Sequence, residues 1–80
     1  MRVAYDVRSQ LEKLDQQILD MLAERAALCR ELRDEGDGVR PEEELDVLAN
    51  WEEGAADRGV DESAVSRVCK AVLLLCRREA

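Results

Sequence analysis

The amino-acid sequence predicts an all-α protein of three helices, one long, one short and one of medium length. Three observations predict this fold class. Apolar residues recur at steps of three and four positions, the composition holds one Trp, one Tyr and no Phe, and two glycine-containing breaks divide the chain. Because 80 residues are enough for one domain only, we expect a single domain over residues 1–80.

The first helix is predicted from Val7 to about Asp34. Its apolar stripe reads Val7, Leu11, Leu14, Ile18, Met21, Arg25, Leu28 and Leu32, which is the seam of an amphipathic helix with one charge in it. Asp6 is placed to cap its start. The Glu-Gly-Asp-Gly run at 35–38 is predicted to end it, since glycine supplies the turn geometry.

Pro41 suits the first position of a second helix, and the three glutamates that follow it suit the positive end of the helix dipole. Glu44 is in phase with the apolar face of this helix, which also carries Trp51 as a core or dimer-interface residue. A third helix is predicted from a cap at Asp61 or Ser63 to about residue 78, with an apolar face broad enough for more than one neighbour.

The first helix is too long for the other two to cover. A chain of this size also buries too small a fraction of its surface to be very stable alone. We therefore expect a homodimer with closed two-fold symmetry, in which the long helices cover each other.

The formal charge of −7 argues against nucleic acid or an anionic membrane surface as a partner. No apolar run approaches the roughly 20 residues of a membrane span, and the N-terminus lacks a signal sequence, so we expect a cytoplasmic protein. If such an acidic chain binds an anion, it must gather a few cations in a pocket.

Cys29, Cys69 and Cys76 are odd in number and show no CxxC spacing. The chain contains no His, which argues against a zinc site. We expect reduced, buried thiols, no metal and no cofactor.

Arg25 is the first candidate functional residue, because a guanidinium in an apolar stripe needs an anion or another hydrogen-bond acceptor. The acceptor can be a ligand or Glu44, and the arginine stem can also extend to solvent. By position alone, Arg8 is a surface residue and Glu44 a first-turn helix charge. Arg77 and Arg78 complement the dipole of the last helix.

The order and spacing of several motifs resemble those of the all-helical chorismate mutases over nearly the whole chain. The pattern comprises Arg8, Leu14-Asp15, Ile18-Leu19, Leu22-Ala23-Glu24-Arg25, then Arg40-Pro41 through Leu48, and Gly59-Val60-Asp61. The resemblance implies an intertwined homodimer with two active sites, each completed by an arginine of the other subunit. It also implies rearrangement of chorismate, a small dianionic substrate, to prephenate without nucleophile, metal or cofactor.

Three residues match the functional positions of this family. Arg8 matches the arginine that enters the partner's site, Arg25 the arginine that binds a substrate carboxylate, and Glu44 the glutamate that binds the substrate hydroxyl. The family lysine that contacts the ether oxygen falls near Gly36, where Arg33 or Arg40 is the candidate replacement.

Other positions depart from the family pattern. Glu43 stands where the family has an arginine, and Cys76 stands where it has a serine. Ala80 stands where the family has a glutamine that is a second donor to the ether oxygen. Arg77 or Arg78 is the candidate to lean over the pocket in place of that glutamine.

Three functions follow as hypotheses. The first is a chorismate mutase that acts on chorismate or on a close analogue such as aminodeoxychorismate. The second is a catalytically weak or inactive module of this fold that serves a shikimate-pathway enzyme as a regulatory or partner-binding subunit. The third is a helical dimerisation module without a ligand pocket.

Overall fold

The computed structural model describes residues 3–38 and 40–78, without the side chain of Arg78. Its three helices are α1 (Ala4–Asp34), α2 (Pro41–Asp57) and α3 (Glu62–Arg78). Strands are absent from the described part, so the all-α class with a long first helix is confirmed. Because α2 and α3 have 17 residues each, the predicted difference between a short and a medium helix is wrong.

The start of α1 differs from the prediction. The helix begins at Ala4 rather than Val7, and the residue before it, Val3, makes no capping hydrogen bond through its side chain. Asp6 therefore lies inside the first turn, where its charge suits the helix dipole, and the predicted Asp6 cap is wrong.

The other helix ends follow the predicted signals. Gly36 has a φ of +76° just after α1, a conformation that residues with a Cβ rarely adopt. Pro41 is the first residue of α2. Asp61 caps α3, since the Ala64 backbone N–H donates to its Oδ2 at 2.8 Å. Gly59, with a φ of +68°, makes the turn before it.

α3 is the central helix, because both other helices pack against it. Among the residues whose side chains the structure describes, the buried apolar ones are Ala55 of α2 and Cys69, Val72, Leu73 and Cys76 of α3. Four of the five thus belong to α3, which confirms that its broad apolar face serves more than one neighbour.

α1 is long but almost uncovered. None of its 31 residues is buried, and Leu14 and Ile18 of its apolar stripe are 52% and 50% exposed. The molecule measures 51 × 25 × 15 Å, with a radius of gyration of 15.3 Å, against about 12 Å for a compact domain of this length. A single chain therefore leaves the predicted seam open to solvent. No helix of the described residues has an apolar stretch long enough to cross a membrane.

Candidate active site

A pocket of about 140 Å³ lies where the three helices meet. Its lining residues are Arg25, Cys29 and Arg33 of α1, Gly38 of the following loop, Glu44 and Val47 of α2, and Leu73, Cys76 and Arg77 of α3. The lining residues of α1 and α2 are spaced three or four positions apart, and Cys76 and Arg77 of α3 follow Leu73 by three and four positions, so each helix presents one face to the pocket. The sequence analysis did not identify four of the lining residues, which are Cys29, Gly38, Val47 and Leu73. Helical spacing from the predicted site residues could have indicated all of them except Gly38, which lies in the loop.

The pocket is positively charged although the chain is acidic. Among the described residues that line it, three are arginines and one is a glutamate, while the whole chain carries −7. Five of the seven predicted site residues, Arg25, Arg33, Glu44, Cys76 and Arg77, lie together here. This local excess of cations suits a small molecule with two negative charges.

Arg25 is partly buried, and its nearest acceptors are sulfur atoms. Its Nη1 donates to Cys76 Sγ at 2.8 Å and lies 3.7 Å from Cys29 Sγ. In the described part of the chain no carboxylate pairs with Arg25, so the alternative of an Arg25–Glu44 ion pair is wrong. Because sulfur is a weak acceptor and the guanidinium has five N–H donors, Arg25 retains donors for a ligand.

Cys29 and Cys76 form a disulfide that joins α1 to α3, with their Cα atoms 5.5 Å apart. The prediction of reduced thiols is therefore wrong for these two residues. It is confirmed for Cys69, which is free and buried, and burial raises the pKa of its thiol. The 47-residue separation gave no signal of the pairing, because pairing depends on how α1 and α3 are rotated about their axes. Among the described residues, no cluster of side chains could hold a metal ion.

Glu44 is paired with Arg77 across α2 and α3. Arg77 Nη2 donates to Oε1 at 2.7 Å, and Nε donates to Oε2 at 3.0 Å. The Glu44 side chain is only 18% exposed, whereas that of Arg77 is 58% exposed. The hydrogen bonds from Arg77 lower the pKa of Glu44 below its ordinary value near 4.5, so its carboxylate is ionised at neutral pH.

Arg33 reaches the end of α3. Its Nη1 donates to the backbone carbonyl of Arg77 at 3.1 Å. The last carbonyls of a helix have no partner within that helix, so this bond satisfies one of them. Arg33 therefore ties α1 to α3 beside the pocket while its side chain lines the cavity.

Two predicted site residues lie elsewhere in this chain. Arg40 is at the surface, where its Nε lies 2.7 Å from Glu43 Oε1 and 3.7 Å from Glu42 Oε1. Glu43 is thereby paired outside the pocket. Arg8 is exposed on α1, 17 residues before Arg25 and hence about 25 Å away along the helix.

Trp51 is not among the residues that line this pocket. It is partly buried on α2 and lines a separate cavity with Ala55 and Arg58. Ala80, in the place of the family glutamine, lies outside the described residues, and so does the side chain of Arg78.

Arg77→Ala is expected to raise the pKa of Glu44 towards its ordinary value, since Arg77 supplies both hydrogen bonds to the carboxylate. A carboxyl with a lowered pKa stabilises the fold above its unfolded value near 4.5, and this contribution is lost as the pH falls through the lowered value. The carboxyl ¹³C shift of Glu44, followed from pH 7 downwards by NMR, measures the change.

The matched control is Arg40→Ala, which removes an exposed arginine from Glu43 and leaves Arg77 in place. It should leave the titration of Glu44 unchanged. An unchanged Glu44 titration in Arg77→Ala would contradict the assigned cause.

Similarity to known proteins identifies the family of this chain. The family model for chorismate mutase type II matches residues 7–80. Comparisons with curated proteins and with solved structures gave no significant match. The match includes α1 from Val7 onwards, all of α2 and α3, and every described residue that lines the pocket. The chain therefore belongs to the all-helical chorismate mutase type II family.

Proposed function

We propose that this protein catalyses the rearrangement of chorismate to prephenate, as a homodimer in which Arg8 of each chain completes the pocket of the other. Family membership supports the reaction class. The observation that carries the proposal is the concentration of Arg25, Arg33 and Arg77 in one pocket of a chain whose net charge is −7. A pocket in which three arginines and one glutamate are the charged residues among the described lining favours a dianion over neutral or cationic metabolites.

Arg25 is proposed to bind one carboxylate of the substrate. Its Nη1 faces the disulfide sulfurs, so Nε and Nη2 remain for a bidentate contact with a carboxylate. Val47 and the buried Leu73 supply the apolar part of the lining. By limiting water around the bound anion, they strengthen its attraction to the guanidinium.

The reaction requires positioning rather than a protein nucleophile. One carbon–oxygen bond breaks and one carbon–carbon bond forms within the same molecule, so a site that holds the two ends of the substrate together lowers the entropic part of the barrier. Negative charge grows on the ether oxygen as its bond breaks, and a nearby donor stabilises it. Arg33 is proposed for that contact, in place of the family lysine.

Glu44 is proposed to accept a hydrogen bond from the substrate hydroxyl. The pairing with Arg77 keeps Glu44 ionised, and a carboxylate oxygen has room for more than one hydrogen bond. Arg77 thus holds Glu44 in a fixed orientation at the edge of the pocket.

The exposed stripe of α1 supports the dimer. Leu11, Leu14, Ile18 and Met21 are each at least half exposed in the single chain, and burying them against a second copy would stabilise the assembly. Arg8 is on the same helix but about 25 Å from its own Arg25. A partner chain that runs along this stripe would bring its Arg8 to the pocket.

A second candidate function is a binding module of the same fold with little or no turnover. Its supporting observation is that both oxygens of Glu44 already accept hydrogen bonds from Arg77, while Gly36 stands where the family has its lysine. Such a module would serve a shikimate-pathway enzyme as a regulatory or partner-binding subunit. A cytoplasmic location and a chorismate analogue as the substrate remain predictions.

Arg25→Ala is expected to lower kcat/KM for chorismate by about a hundredfold or more, because it removes the cation that binds and orients the substrate. The loss of chorismate absorbance in the ultraviolet measures turnover. Arg67→Ala is the matched control, since Arg67 is an exposed arginine of α3 outside the pocket. It should retain the wild-type rate.

The same assay separates the two candidate functions. If the wild-type protein is stabilised against heat by chorismate but shows no turnover above the uncatalysed rate, the binding module is correct and the enzyme is not. If chorismate neither stabilises the protein nor disappears, both proposals fail.

Mixed dimers test the contribution of Arg8. Arg8→Ala and Arg25→Ala should each be nearly inactive alone. In a mixed dimer one pocket combines an intact Arg25 with an intact Arg8 from the partner, so co-refolding equal amounts should restore about a quarter of the wild-type sites. Turnover of the mixture, with each variant refolded alone as the control, measures this recovery.

Recovery requires that the two arginines of one site come from different chains. If the mixture is no more active than the sum of the separate variants, Arg8 does not act across a dimer interface.

A further inference from the structure

We propose that the Cys29–Cys76 disulfide is a thiol–disulfide exchange site in the pocket wall, and that its reduction by a dithiol weakens binding of the anionic substrate. The inference rests on the proposed function for its effect on turnover. The exchange chemistry itself depends only on the positions of the two sulfurs and of Arg25. It adds a redox control to the same pocket.

The two sulfurs differ in their access to a reductant. Both cysteines line the pocket, but Cys76 is only 8% exposed, whereas Cys29 is partly exposed. An incoming thiolate therefore reaches Cys29 Sγ more readily, since exchange requires direct attack on a sulfur atom.

The position of Arg25 also favours attack on Cys29 Sγ with Cys76 as the leaving group. Its Nη1 lies 2.8 Å from Cys76 Sγ and 3.7 Å from Cys29 Sγ, so the cation is closer to the sulfur that would leave. A neighbouring arginine stabilises a thiolate, and a stabilised thiolate leaves faster. Access and electrostatics thus both select Cys29 for attack and Cys76 as the leaving group.

The exchange proceeds in two steps. One thiolate of the dithiol attacks Cys29 Sγ, the bond to Cys76 breaks, and Cys76 leaves as a thiolate beside Arg25. The second thiolate of the reductant then attacks its own sulfur in the mixed disulfide and releases Cys29, which takes a proton from solvent. Two electrons pass to the protein, and the reductant becomes a disulfide.

Reduction changes the charge that Arg25 offers to a ligand. The disulfide is neutral and leaves the guanidinium positive, whereas a Cys76 thiolate forms an ion pair with Arg25. That thiolate competes with the carboxylate of the substrate for the same cation. The other charged groups at the pocket are Arg33 of α1, Glu44 of α2 and Arg77 of α3, and Glu44 is already paired with Arg77.

The first experiment compares the full chain in its oxidised and dithiothreitol-reduced forms. Thiol titration in denaturant should find one free thiol in the first and three in the second. The KM for chorismate should be about tenfold higher in the reduced form, because a charged hydrogen bond to the substrate is lost.

Single variants separate the thiolate effect from the loss of the covalent link. Cys29→Ala leaves the Cys76 thiol beside Arg25 and should keep the high KM of the reduced form. Cys76→Ala also lacks the link but has no thiol beside Arg25, so its KM should be lower than that of Cys29→Ala and should not change on treatment with dithiothreitol. Cys69→Ala is the control and should keep the full redox response, because Cys69 is outside the disulfide.

A second experiment tests the exchange site without turnover. Glutathione, a monothiol, should form a mixed disulfide with the folded chain, and peptide mapping by mass spectrometry should place it on Cys29. Arg25→Ala should slow its formation. Attachment at Cys76, or no reaction in the folded chain, would overturn the exchange site.

The outcomes are distinguishable from failure of the proposed function. If neither redox form turns over chorismate while glutathione still modifies Cys29, the enzyme proposal fails and the exchange site stands without its effect on turnover. If chorismate is turned over with the same KM in both forms, the redox control fails and the enzyme proposal stands.

Discussion

The contact between the Arg25 guanidinium and the Cys29–Cys76 disulfide is the interaction on which the pocket depends. A charge within an apolar helical stripe is costly unless acceptors surround it. The sulfurs at 2.8 and 3.7 Å provide acceptors, but weak ones, so the guanidinium is held in place without being neutralised. Glu44, the carboxylate in the same pocket, is instead paired with Arg77. Because Glu44 is paired with Arg77 rather than with Arg25, the positive charge of Arg25 is available to a ligand.

α1 both lines the pocket and carries the exposed apolar stripe. α1 contributes Arg25, Cys29 and Arg33 to the pocket near its C-terminal end, while the apolar residues of its N-terminal half remain exposed. An 80-residue chain buries only a small area of apolar surface by itself, so a long exposed apolar stripe favours association with a second copy. The same association would supply a further arginine to the pocket.

The sequence predicted the features that helical periodicity determines. It did not predict the features that depend on how the helices are rotated about their axes. The stripe of α1, the proline at the start of α2 and the Asp61 cap of α3 are local signals, and the structure follows them. The disulfide and the Arg77–Glu44 pair join different helices, and a one-dimensional pattern does not fix how helices face each other. The start of α1 was misplaced because Asp6 suits the first turn of a helix as well as its cap.

The central claim is that Arg25 meets a small dianion in this pocket, and guanidinium NMR tests it directly. Titration with prephenate should shift the ¹⁵N and ¹H signals of Arg25 in a saturable way, because a bound carboxylate forms hydrogen bonds to its N–H groups. The exposed Arg67 is the internal reference and should not shift. A saturating titration that leaves the Arg25 signals unchanged, or that shifts both arginines equally, would contradict the account.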